Sequence, residues 1–230
     1  MNQVITLFDR MDAWRHFPNY QLERRADIFF SLYLSEVLEA KLGFPIKAEL
    51  TPEFPIRIGT IYPEIPIDKS YKIDYLALSG DAETAVLIEL KTEGFSRREG
   101  QDKYLKASQK VGLTGLLGGL LDIFRASTWK RKYFSLLMHL DTIGLLSLPH
   151  RFKEIMGRST LQGVIEASQE IQITAKAKKT MVVYVQPNGM GSDIISFSFF
   201  AEVVRSHKDQ ISQRFAASLC EWAEIPAGEK

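Results

Sequence analysis

Thiols and clustered histidines are scarce in this sequence. It contains one cysteine, Cys220, which excludes an internal disulfide framework and any zinc site built from several thiolates. The four histidines do not have the spacing of metal ligands. They are His16, His139, His150 and His207. A zinc enzyme is therefore not expected.

Long hydrophobic runs are also absent. The most apolar stretch, VGLTGLLGGLLDIF at 111–124, is shorter than the ~20 residues that a membrane-spanning helix needs. No basic segment followed by an apolar stretch opens the sequence, as it would in a secretory signal. These features predict a cytoplasmic protein that does not enter a membrane.

The net charge is small, at +1, but the charged residues are unevenly distributed. Between positions 97 and 132 there are nine basic and three acidic residues, which is a local excess of six. A run of charged residues usually forms a solvent-exposed surface, but a basic stretch is also what the binding of a polyanionic partner requires.

The first half of the chain has one helical pattern and several strand patterns. No repeat, low-complexity tract or Gly/Ser linker is visible, so we predict a single domain. Apolar residues recur with helical spacing over 18–43, where Asn19 is a candidate cap and Gly43 a stop. The prolines of 44–70 restrict a strand there to a sheet edge or a bulge. Two apolar runs and a short turn at 72–93 predict a β-hairpin.

The second half adds helices and a further strand pair. Helical spacing runs over about 97–123, where glycines can break the helix, and two further helical segments are predicted over 129–145 and 150–168. Residues 180–187 and 194–201 flank a turn-rich segment and predict a second pair of strands. A last helix is predicted over 208–222. This order of elements predicts an α/β fold with a mixed sheet.

The predicted hairpin carries acidic side chains in two otherwise apolar runs. In KIDYLALSGDAETAVLIELKTE, residues 72–93, a turn centred on Gly80–Glu83 places Asp74 directly opposite Glu89. Directly opposed side chains have Cβ atoms ~5 Å apart, and strand alternation puts Lys91 on the same face. Both faces are otherwise apolar, so we expect buried central strands.

Two buried carboxylates that face each other need a compensating charge, because desolvation makes an unpaired ion costly. Mg²⁺ supplies that charge, since it binds one or two protein carboxylates together with waters and phosphate oxygens. A nearby ammonium can then stabilise charge that develops in phosphodiester hydrolysis. Asp74, Glu89 and Lys91 thus predict a hydrolytic metal site. The alternative is a plain Glu89–Lys91 ion pair, with Asp74 at the solvent end of its strand.

This pattern resembles the PD-(D/E)xK nuclease superfamily, which has an aspartate on its second core strand and E-x-K on its third. The matching residues are KID, ending at Asp74, and IELK, which supplies Glu89 and Lys91. The resemblance implies a restriction-endonuclease-like fold, a mixed central β-sheet flanked by helices. The core motifs would lie within about 18–110. The extra helices inserted after the third core strand, and a β-hairpin, would occupy 111–230.

The resemblance also implies ligands and a substrate. Many members use a glutamate of the first helix as a further metal ligand; Glu23 is the first candidate here and Glu36 the second. The metal would be Mg²⁺, with Mn²⁺ as an alternative, and the substrate a nucleic acid, in the first place DNA. Gln101 and Tyr104 can line the site from one helical face, but their spacing differs from the Q-x-x-x-Y motif of the exonuclease branch.

Basic residues after the hairpin are the expected contacts to a nucleic-acid backbone. With the glutamine, the predicted binding set is Arg97, Arg98, Gln101, Lys103, Lys106, Lys130 and Arg131. Two alternatives to a nuclease stay open. One is a catalytically silent nuclease-fold module that binds nucleic acid or a protein partner in a defence or mobile-element system. The other is an unrelated α/β protein with a buried ion pair. A homodimer is also left open.

Overall fold

The computed structural model describes residues 2–92 and 99–224. Its helices are α1 (Gln3–Trp14), α2 (Leu22–Leu42), α3 (Ile58–Ile61), α4 (Glu99–Ala126), α5 (Lys130–Thr142), α6 (His150–Gly157), α7 (Val164–Gln169), α8 (Phe197–Val204) and α9 (Gln210–Ala223). Its strands are β1 (Thr51–Arg57), β2 (Ser70–Leu78), β3 (Thr84–Leu90), β4 (Leu146–Ser147), β5 (Gln172–Ile173), β6 (Lys179–Gln186) and β7 (Ile194–Ser196).

The predicted α/β fold with a mixed sheet is confirmed. Five strands form one sheet in the order β1-β2-β3-β6-β7, and helices flank it. Strands β1 and β2 are antiparallel, whereas β6 and β7 are parallel. Helices α4 to α7 follow β3 along the chain, and β4 and β5 form a separate two-stranded sheet. Within 2–92 and 99–224, no helix combines the length and the apolar character needed to cross a bilayer.

The proline-rich segment forms an edge strand, as predicted. Strand β1 contains Pro52 and Pro55 and lies at one end of the sheet order. Its partner on the inner side is β2, with Phe54 opposite Ile73. A proline cannot donate a main-chain hydrogen bond, so it is tolerated where one edge of the strand faces away from the sheet.

The hairpin of β2 and β3 closes with the predicted turn. The main-chain N–H of Ser79 donates to the carbonyl of Thr84 at 2.9 Å, and the N–H of Thr84 donates to Ser79 Oγ at 2.9 Å. Asp81 accepts hydrogen bonds from Ser79 Oγ and the Glu83 N–H, which lower the pKa of its carboxyl group. These bonds fix Ser79 opposite Thr84, which is the register that the sequence predicted at the turn.

The described residues fall into two compact units. The first contains those among 1–50, 88–102 and 182–230, and the second those among 51–87 and 103–181. Strands β3 and β6 and helix α4 contribute residues to both. The interpretation of the chain as a single domain stays a prediction.

Aromatic side chains form the core of the first unit. Phe30 of α2 lies with its ring centroid 5.1 Å from that of Phe200 in α8 and 5.1 Å from that of Phe215 in α9, in edge-to-face geometry. Trp222 packs against the same group, 6.2 Å from Phe215. Edge-to-face pairs add about 0.5–1.5 kcal/mol each beyond their buried area. This packing holds α2, α8 and α9 together.

The second unit has a core of leucines and phenylalanines. Leu116, Leu120 and Phe124 of α4 are fully buried, and the Phe124 ring lies 5.5 Å from that of Phe152 in α6. Gly119 allows a close approach, because a Cβ there would lie 2.3 Å from the hydroxyl oxygen of Thr60. The glycine of this helical face therefore serves packing against α3.

The beginning of the chain differs from the prediction. Helix α1 was not predicted, and α2 begins at Leu22 after Gln21 rather than at a cap on Asn19, which has a positive φ of 65°. The predicted stop at Gly43 is confirmed, since this residue caps α2 with φ 76°. Glycine adopts this left-handed backbone conformation without the steric strain that a Cβ atom would cause.

The middle of the chain is helical, as predicted, but with breaks. Gly112 has φ 74° and ψ 165°, so it interrupts α4. The helix predicted over 150–168 is two helices, α6 and α7, and the positive φ of Gly163 precedes the second.

The second strand pair was predicted incorrectly in part. Only Ile194–Ser196 is extended, and 197–204 is helical. Ser196 caps α8, because its side chain accepts from the N–H of Phe199. The pairing of β6 with β7 is parallel, with Tyr184 opposite Ile194, so these strands do not form the predicted β-hairpin.

Candidate active site

A buried ion pair lies where β3 ends. Glu89 is the penultimate residue of β3 and Lys91 follows the strand; they are 3 % and 4 % exposed. Lys91 Nζ lies 2.7 Å from Glu89 Oε1. The main-chain N–H of Lys91 donates to the carbonyl of Val185 in β6 at 2.7 Å. This bond continues the strand pairing past β3 and thereby orients the lysine.

A second carboxylate lies near the lysine. Glu23, in the first turn of α2, has Oε2 3.8 Å from Lys91 Nζ, and its side chain is 34 % exposed. Glu36, the alternative helix ligand, instead has Oε2 2.7 Å from Nε2 of His207. Of the two glutamates weighed from the sequence, Glu23 is therefore the one that the structure brings to Lys91.

Gln101 contributes an amide to the same cluster. Its Nε2 donates to Glu89 Oε1 at 2.7 Å, which assigns the amide nitrogen to the side facing the carboxylate. Its Oε1 is buried and has no hydrogen-bond partner in the part of the chain that the structure describes. A buried acceptor without a partner is costly, and such atoms are rare in folded proteins.

The helix that carries Gln101 is fixed to the sheet by the neighbouring residue. Tyr184 of β6 donates its hydroxyl to Asp102 Oδ1 at 2.6 Å. This contact was not predicted, because the two residues are 82 positions apart and neither shows a local pattern that would pair them. The bond limits the freedom of the first turn of α4 and hence of Gln101.

The cluster offers oxygen ligands of the kind that a hard cation prefers. Glu89, Glu23 and the amide oxygen of Gln101 are oxygen donors, and with Lys91 the charged groups sum to −1. No group of three or more His, Cys, Asp or Glu side chains that could hold a metal ion is found in residues 2–92 and 99–224. Gln101 adds an amide oxygen, which is outside those four residue types. The donor chemistry of the cluster therefore fits Mg²⁺ and not a soft metal.

Asp74 lies in β2 and is half-buried. It belongs to the second unit, whereas Glu89 and Lys91 belong to the first. The bonds between Ser79 and Thr84 agree with the register on which the facing of Asp74 and Glu89 was predicted. The facing itself stays a prediction from the sequence.

The basic residues of the predicted binding set have different surroundings. Lys103 and Lys106 are exposed on α4. Arg97 and Arg98 lie outside the described residues.

Two further members of that set cap helices of the second unit. Lys130 Nζ donates to the carbonyls of Phe124, Arg125 and Ser127, at 2.7, 2.6 and 2.5 Å, and burial lowers the pKa of its ammonium. The guanidinium of Arg131 donates to the carbonyl of Met156 in the last turn of α6 and to the carbonyls of Arg158 and Ser159, which follow that helix. These bonds satisfy carbonyls at helix ends and give both residues a structural role. Their binding of nucleic acid stays a prediction.

Comparison with known proteins adds no relative to this picture. The chain has no significant match among family profiles, curated proteins or solved structures. The class that the fold defines is thus a mixed α/β protein, and its function has to be argued from the Glu89 site.

Proposed function

We propose that the chain is a Mg²⁺-dependent nuclease that hydrolyses phosphodiester bonds of nucleic acid, in the first place DNA. The observation that carries the proposal is the buried Glu89–Lys91 pair, with Glu23 3.8 Å from the lysine and with Gln101, whose Oε1 has no partner among the described residues. Buried charged groups are costly unless they are paired or coordinate a metal ion, and a site of this composition can do both. The restriction-endonuclease-like fold that the sequence pattern implies is part of the same proposal.

In this proposal, Glu89, Asp74 and Glu23 hold the metal ion. Mg²⁺ held there would supply positive charge for the phosphodiester, as metal ions do in hydrolytic sites. Lys91 stabilises negative charge that develops on the phosphate, or orients the attacking water. An ammonium 4 % exposed is effective in that role, because the interaction of charges is screened less in a buried site than in water. Gln101 holds Glu89 in position through its 2.7 Å hydrogen bond.

One observation favours a different interpretation of the same residues. The Lys91–Glu89 distance of 2.7 Å is that of a good ion pair, and both side chains are nearly fully buried. A structural ion pair in a catalytically silent protein would have the same geometry. The two interpretations differ in what they predict for metal binding and cleavage.

The proposal is tested by incubating the full chain with supercoiled, linear and branched DNA, with and without Mg²⁺. We expect Mg²⁺-dependent cleavage by the native chain and its loss in Lys91→Ala. Lys153→Ala is the matched control, because Lys153 also forms a 2.7 Å ion pair, with Asp141, but lies outside the cluster. Retained cleavage in Lys91→Ala, or no cleavage of any substrate, would contradict the proposal.

Removing Lys91 leaves Glu89 as an uncompensated buried charge, which can destabilise the chain. Asp74→Asn is therefore the second variant. If Asp74 faces Glu89, this substitution relieves repulsion, so thermal stability without metal is unchanged or higher. Cleavage and stabilisation by Mg²⁺ are both lost. A clear loss of metal-free stability in Asp74→Asn would favour the ion-pair interpretation.

A further inference from the structure

An exposed tyrosine in the second unit is stacked on a buried one. The rings of Tyr71 in β2 and Tyr104 in α4 are nearly parallel, with centroids 4.5 Å apart and 8° between their planes. Tyr104 is 5 % exposed, whereas Tyr71 is 38 % exposed. The Tyr71 ring is thus supported by Tyr104 on one face and still presents substantial aromatic surface to solvent.

A third tyrosine and a lysine lie near this stack. Burial, together with the neighbouring Tyr71 and Glu64, raises the pKa of Tyr62, while the ammonium of Lys103 acts in the opposite direction. Lys103 is also the residue before Tyr104 in α4, which brings a cation next to the stack. An aromatic surface and a cation therefore occur together here.

The lysine belongs to a basic stripe on the first half of α4. Lys103, Lys106 and Lys110 are spaced by three and four residues, which puts them on one side of the helix, and all three are exposed. Within 2–92 and 99–224, neither Lys106 nor Lys110 forms an ion pair. The positive charge of these two side chains is not neutralised within the described part of the protein.

We infer that the Tyr71–Tyr104 stack and the lysine stripe bind an unpaired nucleic-acid strand. One base stacks on the exposed face of Tyr71, and the backbone phosphates lie along Lys103, Lys106 and Lys110. This inference rests on the proposed function for the class of ligand. It adds that the nucleic acid bound at this surface is single-stranded.

The preference for an unpaired strand follows from the geometry of stacking. A tyrosine ring can cover a base only if the face of that base is free, and in a duplex both faces are covered by neighbouring bases. Stacking on aromatic side chains, combined with a basic surface for the backbone, is how proteins bind single strands without reading sequence. A lysine stripe alone would bind duplex and single strand through phosphates only.

The inference is tested by fluorescence anisotropy with a labelled single-stranded oligonucleotide and a blunt duplex of the same sequence. The full chain is used in EDTA, so that no metal-dependent cleavage occurs. We expect tighter binding of the single strand. Tyr71→Leu keeps an apolar side chain against Tyr104 but removes the aromatic face, and should weaken single-strand binding about tenfold. Tyr71→Phe should restore it, and duplex binding should change less than twofold in both variants.

Trp129→Leu is the matched control, because Trp129 is a 74 % exposed aromatic residue of the same unit beside other basic residues. Equal affinity of the native chain for the two nucleic acids would overturn the inference. So would unchanged single-strand binding in Tyr71→Leu, or a larger loss in Trp129→Leu. If single-strand binding needs Tyr71 but the chain cleaves no substrate, this inference is supported and only the proposed nuclease activity is contradicted. Duplex cleavage with no effect of Tyr71→Leu on binding contradicts only this inference.

Discussion

Two buried charged clusters of the first unit are built from the same kinds of groups, but the second of them has both oxygens of its buried carboxylate in hydrogen bonds among the described residues, whereas the first contains a buried amide oxygen without a partner there. Each has one buried carboxylate, one cation and a second, more exposed carboxylate. The Glu89 cluster comprises Glu89, Lys91, Glu23 and Gln101. The Asp12 cluster comprises Asp12, Arg214, Asp9, Ser218 and Trp222.

The Asp12 cluster is fully paired. Asp12 Oδ1 accepts from Nε1 of Trp222 at 2.8 Å, and Oδ2 accepts from Arg214 and from the hydroxyl of Ser218 at 3.1 Å. The guanidinium of Arg214 also bonds Asp9 at 2.8 Å. Since Asp12 lies in α1 and its partners lie in α9, these bonds join the two helices. This is the pattern of a structural cluster.

The Glu89 cluster has a different arrangement. Its second carboxylate, Glu23, is 3.8 Å from the lysine, a full ångström farther than Asp9 is from Arg214. It also contains the buried oxygen of Gln101, which has no partner within 2–92 and 99–224, at a cost of about 1–3 kcal/mol. A bound cation would satisfy that oxygen. The difference supports a ligand-binding role for the Glu89 cluster.

The largest expected effect on stability is the loss of Asp12. Asp12→Ala leaves Arg214 and Trp222 without their buried acceptor, and we expect the free energy of unfolding to fall by about 3–5 kcal/mol. Asp9→Ala is the control, because Asp9 is 59 % exposed and should contribute no more than about 1 kcal/mol. Chemical denaturation of both variants measures these values. Equal effects would show that the Asp12 cluster is not the structural reference assumed here.

The second largest expected effect is stabilisation by Mg²⁺, which should depend on the Glu89 cluster and not on the Asp12 cluster. Magnesium at about 100 times its dissociation constant stabilises a folded protein that binds it by about 2.7 kcal/mol. For a chain of this length, that corresponds to a rise in Tm of about 5–10 °C. The rise should shrink in Glu23→Gln and remain in Asp9→Asn, as measured by thermal denaturation with and without MgCl₂. A full rise in Glu23→Gln would exclude Glu23 as a ligand.

The partly buried ion pair of Asp141 and Lys153 in the second unit should contribute an intermediate amount to the free energy of unfolding. Burial alone would raise the pKa of Asp141, but hydrogen bonds from Lys153 at 2.7 Å and from the Leu148 N–H at 2.9 Å outweigh it and hold the pKa below its usual value. The ionised form is thus favoured in the folded state. The resulting stability is present above the unfolded pKa of about 3.9 and is lost as pH falls through the folded pKa.

We therefore expect Asp141→Asn to lower the free energy of unfolding by about 1–2 kcal/mol at pH 7. The difference from the native chain should shrink as pH falls below about 4. Glu166→Gln, at an exposed carboxylate of the same unit, is the control. Urea denaturation at pH 7, 5, 4 and 3 measures the effect. A difference that stays constant with pH would contradict the assigned role of the Asp141 charge.

Local sequence patterns predicted the elements that lie around the Glu89 cluster. The hairpin was predictable because its two apolar runs and its turn are contiguous, so that Ser79 could be set opposite Thr84. Helix α2 was predictable from its period and its stop at Gly43. Helix α8 was not, because FSFF has aromatic residues that favour strands, while the cap on Ser196 favours a helix.

Contacts between distant parts of the chain could not be predicted in the same way. Glu23 and Glu36 both flank the apolar face of α2, and only the folded chain shows that Glu36 bonds His207. Lys130 and Arg131 form part of a basic run in the sequence, which does not reveal the carbonyls that they cap. In each case the partner is either distant in the sequence, like His207, or a main-chain carbonyl, which every residue has. Neither kind of partner gives a local sequence pattern.

The smallest expected change in stability is that of a substitution at Gln101 in the Glu89 cluster. Gln101→Leu removes a hydrogen bond to a charged group, which costs about 1.5–3 kcal/mol, but it also removes the buried oxygen without a partner, whose penalty is about 1–3 kcal/mol. The two effects nearly cancel, so metal-free stability should change by no more than about 1 kcal/mol. Stabilisation by Mg²⁺ should nevertheless decrease, because Glu89 loses the amide that orients it. Gln213→Leu, at an exposed glutamine that donates to main-chain carbonyls, is the control and should leave the effect of Mg²⁺ unchanged. A large loss of metal-free stability in Gln101→Leu would make the Glu89 cluster structural, like the Asp12 cluster.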